Sequence, residues 1–133
     1  MAIIKQDWSQ AEVEIAGSSL DGLGIAGKVV LEVDNSSTKH IADDYDIELS
    51  GLGDGTVDIY RAGSNTAANF ALAADIVGIW DFIKSLDMSA TKKKVDFRLE
   101  QLKQYNALLI VNNTDAVLGS SNTVKRQGAD LTN

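Results

Sequence analysis

Lys94-Val95-Asp96-Phe97-Arg98-Leu99-Glu100 alternates without a fault between apolar and charged residues. Successive side chains of an extended strand point to opposite faces. This stretch therefore sets Val95, Phe97 and Leu99 on one face and Lys94, Asp96, Arg98 and Glu100 on the other. The same two-residue rhythm recurs along the chain, which decides the fold class. Tyr45, Ile47 and Leu49 alternate with Asp46, Glu48 and Ser50. Val29, Leu31 and Val33 alternate with Lys28, Glu32 and Asp34, with Val30 as the exception. Val57 and Ile59 flank Asp58, and Glu12-Val13-Glu14-Ile15 alternates as well. Ala107-Leu108-Leu109-Ile110-Val111 is apolar throughout and reads as a strand buried on both faces.

Turn residues punctuate these runs at short intervals. Gly17-Ser18-Ser19, Asp34-Asn35-Ser36-Ser37, Gly51-Leu52-Gly53-Asp54-Gly55, Gly63-Ser64-Asn65, Asn112-Asn113-Thr114-Asp115 and Gly119-Ser120-Ser121-Asn122 all carry turn chemistry. Many short strands between such turns predict a mainly β chain, an antiparallel β-sandwich of the jelly-roll kind. Two stretches read both ways. In residues 67–84, Phe70, Ala74 and Val77 share a helical face, yet Phe70, Leu72, Ala74 and Ile76 also alternate. Strands are preferred there, with a short helix as the alternative. Between Leu99 and Leu109, Leu102 and Tyr105 fit a continued helix as well as a turn.

The 133 residues are expected to form a single domain. The first ten residues, with Ile3, Ile4 and Trp8, and the polar stretch 119–133 read as extended arms. No apolar run approaches the ~20 residues of a membrane-spanning helix. The N-terminus shows no secretion signal, so folding in a cytoplasm is expected. The chain has no cysteine, which excludes disulfides, thiol catalysis and cysteine-ligated metal.

Net charge is −7 and unevenly placed. Residues 1–66 hold 12 acids and 4 bases, a balance of −8; residues 67–133 hold 7 acids and 8 bases, a balance of +1. Such a chain repels nucleic-acid backbones. The asymmetry suggests complementarity between protein surfaces, either between copies or between intermingled halves.

No motif carries chemistry well. Gly22-Leu23-Gly24-Ile25-Ala26-Gly27-Lys28 matches a phosphate-binding glycine pattern, but a β-branched run follows where a helix is required. A glycine-rich turn explains it. Asp43, Asp44 and Asp46, with Asp54 and Asp58, offer oxygen ligands without calcium-loop spacing. His40 is the only histidine and lies in a polar stretch, as a surface residue would. Lys92-Lys93-Lys94 lacks the interleaved aromatics of a nucleic-acid site. The sequons at Asn35 and Asn112 mean little without secretion. No catalytic, cofactor-binding or metal-ligating residue is assigned, and no cofactor is expected.

Two stretches carry a resemblance. Gly55 to Asn65 leading into Asn69-Phe70-Ala71-Leu72, and Val95 to Leu99 followed by Leu108 to Thr114, resemble strand–turn–strand units of discoidin-like and jelly-roll sandwiches. Such sandwiches recur among bacteriophage virion accessory proteins, including capsid decoration (cement) proteins and tail-associated proteins. The resemblance spans residues 45–118 and transfers no functional residue. It implies a non-enzymatic virion protein that binds major capsid subunits and stabilises the shell. It further implies a homo-oligomer, commonly a trimer, with Met1 to Gln10 as a contacting arm. The alternatives are a glycan- or host-surface-binding module of a tail or fibre, and a self-assembling coat protein.

Overall fold

The structure, a computed structural model, describes residues 5–7, 13–14, 17–34, 42–64, 80–89, 93–100 and 105–132. Among the described residues nine strands follow one another: β1 (Lys5–Asp7), β2 (Val13–Glu14), β3 (Lys28–Asp34), β4 (Ala42–Glu48), β5 (Gly55–Ser64), β6 (Asp81–Asp87), β7 (Lys94–Glu100), β8 (Tyr105–Thr114) and β9 (Thr123–Thr132). A 3-10 turn, Gly17–Leu20, leads towards β3. The alternating stretches of the sequence are these strands.

The strands form two antiparallel sheets. One runs β1-β9-β4-β7, with β2 also pairing β9; the other runs β3-β8-β5-β6. The pairings nest: β5 pairs β6, β4 pairs β7, β3 pairs β8, and β2 pairs β9. A chain folded back on itself as one long hairpin and then rolled gives this pattern, which is the jelly roll. The expected antiparallel sandwich is what the described residues form.

Rolling also explains the uneven charge. Nesting pairs an early strand with a late one, so the acidic first half lies against the more basic second half. Arg98 Nε lies 2.9 Å from Asp44 Oδ1, Lys94 Nζ lies 3.2 Å from Asp46 Oδ2, and Arg126 Nε lies 2.9 Å from Asp43 Oδ1. Much of the complementarity that the halves announce is internal.

The core lies between the sheets. Leu31, Val57, Ile59, Leu86, Leu108 and Ile110 from one sheet meet Tyr45, Ile47 and Val124 from the other, while Leu20, Leu49, Met88 and Leu118 close one end. Each fully buried aliphatic side chain contributes roughly 1.5–3 kcal/mol. Tyr45 and Phe97 stack at 5.5 Å between ring centroids, locking neighbouring strands of the larger sheet. β8 is central in its sheet and apolar on both faces, as its sequence predicts. Its second set of side chains, Ala107, Leu109 and Val111, joins Ala62 and Trp80 in a separate cluster on the outer face.

Four expectations meet the structure in different ways. The stretch 119–133 is not an arm as far as it is described: residues 123–132 form β9, which pairs with β4 on one edge and with β1 and β2 on the other. Its polar sequence misleads because Thr123, Lys125 and Gln127 stand opposite Glu48, Asp46 and Asp44 on the solvent face. Of the N-terminal arm, Lys5–Asp7 pairs with β9 as β1, and the remainder lies outside the described residues. Of the possible helix in 67–84, residues 81–84 belong to β6, and 67–79 lie outside the described residues. The helical alternative from Leu99 onward gives way to β7 and β8, with 101–104 undescribed.

Candidate functional site

The loops at one end of the sandwich are tied together by two buried asparagines. Asn112 closes β8, and its Nδ2 donates to the carbonyls of Leu23 (3.0 Å), Gly24 (3.2 Å) and Ala116 (2.9 Å). Its Oδ1 accepts from the Thr114 amide at 3.0 Å and from Thr114 Oγ1 at 2.6 Å. Asn122 opens β9. Its Nδ2 donates to Asp21 Oδ1 at 2.7 Å and to the Gly119 carbonyl at 2.9 Å, while its Oδ1 accepts from the Ser50 amide at 2.8 Å. These side-chain bonds join segments 21–27, 49–54 and 115–122. Backbone bonds add to them: Gly119 N–H to Ser50 O at 2.7 Å, Leu118 N–H to Leu23 O at 3.0 Å and Asp115 N–H to Asp54 O at 3.0 Å. Every buried polar group satisfied in this way avoids a desolvation cost of about 1–3 kcal/mol.

From this braced platform three apolar side chains project into solvent. Leu52 is 95% exposed, Ile25 60% and Val117 53%. Ile25 precedes Ala26, an alanine in the left-handed region at φ 61°, whose N–H donates to Asn112 O at 2.8 Å. Leu52 lies between Gly51, whose added Cβ would touch Leu118 and Gly119, and Gly53, which packs on Thr114 and Ala116. The tips of the second and third segments are therefore neighbours. The same three segments carry the exposed residues Asp21, Asp54 and Asp115. The N–H and side-chain amide of Asn122 hold the Asp21 carboxyl below the usual carboxylate range. Beside Leu52 a groove of about 410 Å³ runs between Glu48, Ser50, Gly51, Lys93 and Lys94.

The outer faces of the two sheets differ sharply. The larger sheet shows Asp44, Asp46, Glu48, Asp96, Lys94, Arg98, Lys125 and Gln127, a ladder of mixed charge. A shallow depression of about 380 Å³ lies among Asp44, Asp46, Asp96, Arg98 and Gln127. On the outer face of the smaller sheet an apolar row runs from Val30 through Leu109 and Tyr60 to Phe82, with Leu109 buried and Phe82 exposed. Tyr60 and Phe82 meet edge to face at 5.6 Å.

Those residues weighed from sequence that the structure describes do not converge on a chemical centre. The glycine-rich stretch 22–28 is a turn that enters β3, not a helix. Asp44 and Asp46 face solvent from β4, and Asp43 faces inward to Arg126. Asp54 belongs to the loop end, and Asp58 on β5 accepts from Thr56, Ser85 and Asn113. Among the described residues no group of acids and imidazoles is arranged to hold a metal. Lys93 Nζ donates to Gly51 O, Lys94 pairs with Asp46, and Lys92 and His40 lie outside the described residues. Asn112 of the second sequon is fully buried, which leaves it no room for a glycan. Sequence reasoning read Asn112 and Asn122 as turn residues only. The apolar run 107–111 beside Asn112 foreshadowed its burial, but nothing local marks Asn122, and the partners lie as far as 101 residues away.

No family model and no curated protein matches this chain. Among solved structures, it is similar to a family 35 carbohydrate binding module from an environmental isolate. The two share 11% identity at a TM-score of 0.39, over 84% of this chain and 69% of that one. A likeness of that degree carries no argument about ligand or site.

Proposed function

We propose that this chain is a non-enzymatic jelly-roll domain that works by docking its loop end on other protein surfaces. The finer reading is a virion structural protein of the capsid-decoration kind, which binds major capsid subunits and stabilises the shell. The observation that carries the docking is Leu52, almost wholly exposed, standing with Ile25 and Val117 on a hydrogen-bonded platform. A braced platform loses little conformational freedom on binding, so more of the burial appears as affinity. Three aliphatic side chains make too small a patch for a stable one-to-one complex, which buries about 1,200–2,000 Å². Repeated by symmetry over a shell, the same modest contact suffices through multivalency. The acidic rim favours a partner whose apolar site is ringed by lysine and arginine, and it disfavours anionic lipid and nucleic acid.

The test adds the purified chain to empty shells assembled from the major capsid protein encoded with it. The expected result is cosedimentation and a higher shell melting temperature, both lost in Leu52→Asp. A chain that ignores shells ends the virion reading.

Glycan binding is a second reading, and one observation favours it. The depression on the outer face of the larger sheet offers carboxylates, a guanidinium and an amide suited to sugar hydroxyls. Tyr45 and Phe97 contribute no stacking platform there, because their rings are packed in the core. Binding of oligosaccharides that is abolished by Arg98→Ala, with Leu52→Asp behaving as the parent, selects this reading instead.

A further inference from the structure

The four sheet edges among the described residues are not alike. On β7, residues 94, 96, 98 and 100 turn their backbone groups away from β4, since Lys93 O already accepts from Leu49. That edge is capped from the opposite sheet. Lys84 Nζ donates to Asp96 O at 3.1 Å, and Arg61 Nη2 donates to Glu100 O at 2.5 Å. β6 is broken by a register shift against β5 between Ile59 and Tyr60, and such irregularity spoils an edge for further pairing. The edge built by β1 and β2 is short and interrupted among the described residues. β3 differs from all three. It runs seven residues, Lys28–Asp34, without proline or bulge, and pairs only with β8 among the described residues. Asn112 N–H donates to Gly27 O, which fixes the phase: Val29, Leu31 and Val33 turn to β8, and Lys28, Val30 and Glu32 turn their N–H and C=O outward.

We propose that this edge of β3, unpaired among the described residues, pairs antiparallel with β3 of a second copy, across a two-fold axis at Val30, to make one continuous sheet. Two features of the strand select that register. Lys28 of each copy then stands opposite Glu32 of the other, giving two opposite-charge cross-strand pairs. Slipping by two residues in one direction sets Glu32 against Glu32, and like charges directly opposite oppose pairing. The central pair is Val30 against Val30. Val30 ends the apolar row that crosses the outer face through Leu109, Tyr60 and Phe82, so the row becomes continuous through the axis. A C2 contact of this kind is self-complementary and closes. It uses neither the loop end nor any group of the proposed docking surface, so either can fail without the other.

Sedimentation of the full chain over about 10 µM to 1 mM tests it, the range where a small interface associates. A monomer–dimer equilibrium is expected. Lys28→Glu and Glu32→Lys should each weaken it by about tenfold, and the double variant K28E/E32K should restore it. Because the chain has no cysteine, Val30→Cys should form an intermolecular disulfide on oxidation, whereas Glu32→Cys should not. A chain that is monomeric throughout overturns the proposal. So does a dimer indifferent to both charge reversals, or one that crosslinks through Glu32→Cys and not through Val30→Cys.

Discussion

Asp43 is wholly buried, and Arg126 Nε lies 2.9 Å from its Oδ1. The two residues sit on β4 and β9, and they pin the last strand to the centre of the larger sheet from its inner face. Tyr45, next on that face, points its hydroxyl towards Asp43 Oδ2 at 3.5 Å. Removing one partner of a buried ion pair strands the other charge in a poorly solvated place. Arg126→Met is expected to destabilise the fold by about 3–5 kcal/mol in urea unfolding. The double replacement D43L/R126M should recover most of that loss, because an apolar pair needs no compensation.

Burial, and next the neighbouring Asp43 charge, push the Tyr45 hydroxyl far above the usual tyrosine range. The folded state therefore holds a proton that the unfolded chain gives up near pH 10. The sign follows: the Tyr45 contribution is full below pH 10 and is lost as pH rises beyond it. Absorbance titration at 295 nm should show a tyrosine step that appears only as the protein unfolds in alkali, and Tyr45→Phe should reduce that step.

The platform makes a separable prediction. Asn112→Ala leaves the carbonyls of Leu23, Gly24 and Ala116 and the Thr114 groups without their partner. It should cost about 3 kcal/mol. Amide exchange should quicken around residues 22–26 and 114–118 before it does in β4 or β7, because the sheets do not depend on this side chain.

Two backbone substitutions should move stability in opposite directions. Gly55 has φ 115°, and an added Cβ would meet Asn113 O at 2.9 Å, so Gly55→Ala should destabilise by about 1–3 kcal/mol. Ala26 has φ 61°. Ala26→Gly relieves that conformation and should be neutral or stabilising by up to about 1 kcal/mol.

The two-residue alternation of Tyr45–Ser50 and Lys94–Glu100 made the sandwich legible, because one face of each strand is buried and the other wet. It also made legible the inward set Tyr45, Ile47, Val95 and Phe97. β9 was hidden for the converse reason. Only Val124 of its described side chains enters the apolar core, and its remaining stabilisation comes from Arg126 meeting Asp43 and from polar cross-strand neighbours. Such partners are 83 residues apart in sequence, and no local pattern reports them. The loop end was hidden in the same way. Gly51-Leu52-Gly53 reads as a turn, and only the distant contacts of Asn112 and Asn122 show that the turn is braced and that Leu52 has nowhere to pack. The charge imbalance between the halves was visible, but its resolution within one chain follows from the nested strand order.

Hydrogen exchange of the shell-bound chain against the free chain tests docking through the loop end most directly. Added protection confined to residues 22–26, 50–54 and 115–118 is the predicted result. Protection centred instead on β4 and β7 around Asp44, Asp46 and Arg98, with the loop end unchanged, would contradict it.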